Sequence, residues 1–206
     1  MRIIQVQREE KGMSVEVKQF DSEEAWVVAR WIVERISPHC HDTQVCGGLR
    51  RGNETVHDID IVVRPHNFFE ISTIIGSNGG KSSRTKFTIT LDDIPVEIYI
   101  ANNEFEFEVM KLVRTGSAGF CFNIAALAHE KNMVLRYNGE LFGLYAAALG
   151  WDDNARRWKY YCNPLRRLHW MEEDIIKTIF GDDTSFLDPY NRNIEGTMFG
   201  KLVMEA

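Results

Sequence analysis

The chain predicts an α+β fold, and three observations carry that prediction. A stretch from Asp21 to Ile36 repeats apolar residues at helical spacing. Two alternating apolar runs meet at Asp92-Asp93 as a hairpin. A short apolar strand from Asp58 to Val63 carries two carboxylates. These elements describe a mixed or antiparallel sheet with two helices over residues 1–113. A change in composition near residue 114 marks a small C-terminal α/β lobe over residues 114–206.

Taken in order, residues 1–19 read as a short strand or two, with Val15 and Val17 alternating against Glu16 and Lys18. Asp21 and Glu24 have capping-box spacing, and the helix they open places Ala25, Val28, Ala29, Ile32 and Ile36 on one face until Pro38 stops it. Thr43 to Cys46 is a strand that delivers Gly47-Gly48, and Asp58 to Val63 is its neighbour. Asn67 to Ile75 is a second helix, ended by a Gly/Ser-rich run. Lys86 to Leu91 and Ile94 to Ile100 form the hairpin; on its second strand Val96, Ile98 and Ile100 share one face, and Glu97 and Tyr99 the other. Helices are expected from Phe105 to Val113 and from Asn123 to Lys131, then a strand–turn–strand from Val134 to Phe142 and a late helix from Met171. An irregular tail begins at Asp188-Pro189.

The composition is that of a soluble globular protein, 44% hydrophobic and 26% charged. No apolar run approaches the roughly 18 residues of a membrane span, and Met1 to Val6 lacks a signal sequence's apolar core, so no membrane partner is expected. Four scattered cysteines, Cys40, Cys46, Cys121 and Cys162, predict reduced thiols and a cytoplasmic protein. The net charge of −6 is unusual for a chain that binds DNA tightly. His39, Cys40, His41 and Cys46 match no common zinc spacing.

The chemistry concentrates between Cys46 and Val63. On a strand, Asp58 and Asp60 leave the same face, and two neighbouring carboxylates repel unless a cation lies between them. Mg²⁺ fits, being hard, oxygen-liganded and a companion of phosphates. Gly47 and Gly48 let backbone amides approach a phosphate, and Arg51 supplies a bidentate cation. Together they describe a nucleoside triphosphate site. Glu97, a lone carboxylate in an apolar strand, is the candidate third ligand; an exposed edge-strand glutamate is the alternative.

The stretch Gly47-Gly48-Leu49-Arg50-Arg51-Gly52, followed by Glu54-Thr55-Val56 and Asp58-Ile59-Asp60, resembles the signature of the DNA polymerase beta-like nucleotidyltransferases, and of family X DNA polymerases in particular. Thr85-Lys86-Phe87 with Ile94 to Glu97 resembles the palm hairpin that bears the third catalytic carboxylate. Thr115-Gly116-Ser117 through Phe120 and Asn123 resembles the nucleotide-pocket segment and the helix after it. Glu172-Glu173-Asp174-Ile175 with Asp188-Pro189 is similar to the family's last helix and ending. Val113 to Phe120, with Pro38-His39-Cys40, is closest to small phage-type members, and the resemblance implies a chain without the N-terminal lyase domain.

That resemblance implies a nucleotidyltransferase palm and a nucleotide-selecting lobe, with Asp58, Asp60 and Glu97 as catalytic residues and ligands of Mg²⁺, for which Mn²⁺ could substitute. It puts Gly47, Gly48, Arg51, Thr115, Gly116, Ser117 and Phe120 on the nucleotide, and Arg84, Lys86, Arg114 and Asn123 on nucleic acid. It further implies a monomer that takes dNTP and primer-template or gapped DNA and fills short gaps in DNA repair. Gly48 stands where the family has serine, Glu97 where aspartate is commoner, His57 where a small residue is usual, and Val113-Arg114 where two aromatics precede Thr115.

Other readings of the same residues stay open. Gly116, Ser117 and Phe120 also describe a helix-capping turn with a core phenylalanine. Arg114 also reads as a solvated helix end, and Lys81, Arg84 and Lys86 as a solvated loop. The basic and aromatic run from Arg156 to Trp170 suits either nucleic acid or the core of the lobe. The competing functions are transfer to an RNA end, a small molecule or a protein, and nucleotide binding without turnover.

Overall fold

The computed structural model describes residues 3–10, 13–138, 141–153, 156–181 and 183–194. It is a mixed α+β structure that divides into two compact units, residues 1–103 and 104–206. The division falls at the start of the helix that leads into residue 114 instead of at its end.

In the first unit, β1 (Ile3–Glu10) and β2 (Met13–Asp21) form an antiparallel hairpin. Asp21 then caps α1 (Ser22–Ile36), its Oδ1 accepting the Glu23 amide at 2.8 Å. The predicted apolar face of Ala25, Val28, Ala29, Ile32 and Ile36 is buried throughout. Pro38 cannot continue the helix, and Ser37–His39 form a single tight turn before β3 (Cys40–Val45).

A helical turn, α2 (Gly47–Arg50), and a short strand, β4 (Thr55–Val56), follow. Then come β5 (Ile59–Pro65), α3 (Phe68–Ser77) capped by Asn67, β6 (Lys81–Ser82), β7 (Lys86–Leu91) and β8 (Ile94–Ile100). The main sheet has the order β3-β5-β8-β7-β6; β5 runs parallel to β8, while β3–β5, β6–β7 and β7–β8 are antiparallel. The hairpin turns where expected, with Asp92 and Asp93 both at positive φ, the backbone a two-residue turn between twisted strands requires. Ile59, Ile61, Val63, Val96, Ile98 and Ile100 join α1 in one core. Strand β5 begins one residue later than expected, so Asp58 lies in the bend before it, not within the strand.

The second unit holds α4 (Glu104–Thr115), α5 (Ala118–Glu130), β9 (Met133–Asn138), β10 (Leu141–Asp152), β11 (Arg157–His169) and α6 (Glu172–Phe180). Its sheet is antiparallel, in the order β11-β10-β9. Of the turn expected around Asn138-Gly139-Glu140, residues 139 and 140 lie outside the described residues. The basic and aromatic run after Asn154 forms β11, an edge strand. Charged side chains on an edge discourage pairing with another chain. Arg192 is buried and donates to Glu172 and, at 2.7 Å, to the Phe186 carbonyl, so the irregular tail is tied down by its own ion pair. No described helix is long and apolar enough to cross a membrane, and the four cysteines form no disulfide.

Candidate active site

The parallel pairing of β5 with β8 sets Asp60 directly opposite Glu97. Adjacent strands lie roughly 4.8 Å apart, so two side chains at one register position on one face are immediate neighbours. The core forces that face: Ile59 and Ile61 on β5, and Val96 and Ile98 on β8, are buried, leaving Asp60 and Glu97 on the other side, half-buried.

Gly47 closes the site from the strand before. The Cys46 amide donates to the Asp60 carbonyl at 2.8 Å, which brings α2 against β5. Gly47 sits at φ +63, and a Cβ there would lie 2.4 Å from Asp60 Oδ2. Only glycine meets both demands. At Gly48 a Cβ would lie 2.8 Å from Val56 Cγ1, so a larger residue there would require that side chain to shift. The first amides of a helical turn have no carbonyl partner within the helix, so this turn is chemically suited to an anion.

Asp58, half-buried, completes the group. Burial pushes its carboxyl above the ordinary value, and the negative charge of Glu97 pushes it further; His57, Arg51 and Lys86 act in the opposite sense. Four charged or ionisable side chains thus act on Asp58. The loop that carries Asp58 is held by the first hairpin and the start of α1. His57 Nδ1 lies 3.1 Å from the Lys18 carbonyl, Thr55 Oγ1 donates to Gln19 at 3.2 Å, and the Ser22 amide donates to Glu54 at 3.1 Å. Residues 1–19 carried no legible role; alternation marked a strand, but nothing in it named the loop as its partner.

Glu97 is held more tightly than anticipated. Lys86 Nζ donates to its Oε1 at 2.7 Å and the Tyr99 hydroxyl donates to its Oε2. Lys86, expected on nucleic acid, is therefore engaged with a carboxylate of the site. Tyr99 was missed, although its place two residues from Glu97 on the same strand face was the available signal. The donor set has the chemistry for a hard divalent cation. Its side chains are not gathered around one: among the described residues no group of three or more His, Cys, Asp or Glu is placed to hold a metal ion. Both Glu97 oxygens would have to exchange partners first.

The remaining expected residues lie elsewhere. Arg84 is exposed in the turn between β6 and β7, beside a cavity of about 370 Å³ that it lines with Pro65, Phe68 and Ala101. Arg114 is exposed in the last turn of α4, and Thr115 is buried at its end. Ser117 is the N-cap of α5: its hydroxyl accepts the Phe120 amide at 3.2 Å and the Ile194 amide at 3.1 Å. Gly116 is needed there because a Cβ would meet Phe120 Cδ1 at 2.3 Å. In place of the expected base contact, Phe120 is fully buried against Phe180 and Phe186. Asn123, expected on nucleic acid, is 3% exposed, and its amide atoms have no partner among the described residues. Gly116, Ser117 and Phe120 thus form the helix-capping turn with a core phenylalanine that was the alternative reading of these three residues, and Thr115 and Asn123 are buried beside them.

A cavity of about 570 Å³ in the first unit is lined by Glu24, Val27, Val28, Asp92, Asp93 and Ile94, and by none of the three site carboxylates. Compared with known proteins, the chain matches no family model and no curated protein.

Proposed function

We propose that the chain is a nucleotidyltransferase, and that it acts as a minimal template-directed DNA polymerase on gapped DNA. The observation that carries this reading is the opposition of Asp60 and Glu97 on parallel strands beside Gly47, with Asp58 sensing the charge of Glu97. Three acids so close repel one another, an arrangement that makes sense where the ligand is a cation accompanied by phosphate.

A divalent ion, when bound by these carboxylates, supplies charge neutralisation at the reacting phosphate. The chain's own residues do the rest. Gly47 and Gly48 let the backbone come close to the β- and γ-phosphates, and the Arg51 guanidinium, near enough to Asp58 to affect it, attracts their charge. Glu97 would help hold the divalent ion near the primer 3′-hydroxyl and so help that hydroxyl lose its proton. Attack on the α-phosphate expels pyrophosphate, and positioning accounts for most of the acceleration.

A second reading, transfer to an acceptor other than DNA, gains from the closure of Phe120 and Asn123 in the core and from the net charge of −6. One experiment separates the two. Purified chain is given single-nucleotide-gapped DNA with Mg²⁺ and labelled dNTPs or NTPs, beside Asp60→Asn. Primer extension that falls by at least about a hundredfold in Asp60→Asn supports the polymerase. Labelling of RNA, protein or a small acceptor without DNA extension supports the second reading. No transfer to any acceptor, or full activity in Asp60→Asn, overturns both.

A further inference from the structure

We propose that Lys86 is a built-in counter-ion of the carboxylate face, a positioning residue whose ammonium competes with a divalent cation for Glu97. The inference rests on the nucleotidyltransferase reading and adds to it how the site is held before substrate arrives. Lys86 is on β7, opposite Tyr99 and two residues from Thr88, which faces Glu97. From there its ammonium reaches diagonally to Glu97 Oε1 at 2.7 Å, with the nitrogen 5.6 Å from the centre of the Tyr99 ring. The Tyr99 hydroxyl holds the other oxygen, so the carboxylate is fixed at both ends. The same ammonium acts on Asp58, which places positive charge where the acids gather.

The backbone around Lys86 is firmly held. Its amide donates to Ser83 Oγ at 3.0 Å, its carbonyl accepts the Ser83 amide at 2.9 Å, and Ile100 donates to the Thr85 carbonyl at 3.0 Å. Release of Glu97 Oε1 therefore requires that the flexible four-carbon side chain swing away, with the hairpin unchanged; Tyr99 still holds Oε2. A lysine is suited to this: its ammonium is a compact point charge without the rigid bidentate fork of arginine.

Direct Mn²⁺ binding to the whole chain, followed by the loss of the free-ion paramagnetic resonance signal, tests the proposal without any activity assay. Removing a cation beside a carboxylate shifts its equilibria by about tenfold or more. Lys86→Met and Lys86→Gln should each bind Mn²⁺ about tenfold more tightly than wild type. Tyr99→Phe should bind more tightly to a smaller degree, and Lys86→Arg should stay near wild type. Asp60→Asn should bind least. A folded Lys86→Gln that binds no more tightly than wild type overturns the counter-ion role and leaves the nucleotidyltransferase reading intact. Absence of Mn²⁺ binding in every protein overturns both.

Discussion

At Asp58 the molecule gives up stability to hold a charge where it is wanted. Its carboxyl is shifted above the ordinary value of 3.8 because burial and Glu97 both disfavour the anion. An acid raised in the folded state favours folding most when protonated. That contribution is fully present below the unfolded value and is lost as pH rises through the folded value. Asp58→Asn should therefore melt higher than wild type at pH 7, and the gap should shrink as pH falls and wild-type Asp58 takes up its proton. Thermal melts of both proteins across that range check this; a variant that melts lower at pH 7 refutes it. Gly47 is the second case. Alanine there meets both a positive φ and Asp60 Oδ2 at 2.4 Å. Gly47→Ala should lower stability by about 1–3 kcal/mol and displace the Asp60 carboxylate, with transfer reduced by about a hundredfold. Denaturant midpoints and gapped-DNA extension measure the two effects separately.

At the scale of elements, the residues between α4 and α5 admit a clear test. If Ser117 caps α5 and bonds Ile194, Ser117→Ala removes a cap and a tether. It should cost about 1–2 kcal/mol in chemical denaturation while the affinity for nucleotide stays unchanged. A loss of nucleotide affinity at constant stability would restore the sugar-pocket role. Most of the first unit was legible because local signals and tertiary context agree there. The α1 stripe, the Asp92-Asp93 turn and the Gly47-to-Asp60 spacing each follow from short-range rules. Glu97 was signalled by its place as a lone carboxylate in an apolar strand, but its register opposite Asp60 was not, since the parallel pairing of β5 and β8 depends on a crossover that periodicity does not reveal. Strand β11 was not legible as a strand: five basic residues and Pro164 obscure any alternation from Asn154 to Trp170. Phe120 and Asn123 were assigned to ligands because sequence alone cannot tell a core aromatic from a pocket one. Burial against Phe180 and Phe186 decides for the core.

For the whole molecule, charge constrains how DNA could be held. With 30 acidic against 24 basic residues, long-range attraction to a polyanion is absent, and binding has to rely on local cations. In the first unit, Lys86 is committed to Glu97 and Arg64 to Asp42, while Lys81 and Arg84 are exposed. In the second, Arg156 and Arg166 are exposed. Each phosphate neutralised contributes about 0.9 to the slope of log affinity against log salt, so contacts from these four side chains predict a magnitude of about 3–4. Fluorescence anisotropy with gapped DNA between 50 and 200 mM salt reads that slope directly. A magnitude near 3 supports a polymerase that grips DNA at few points and depends on its nucleotide site for commitment. A magnitude above about 6 would require phosphate contacts beyond these four. Binding too weak to measure at the lowest salt would remove DNA as the acceptor and leave the same carboxylate face to act on another one.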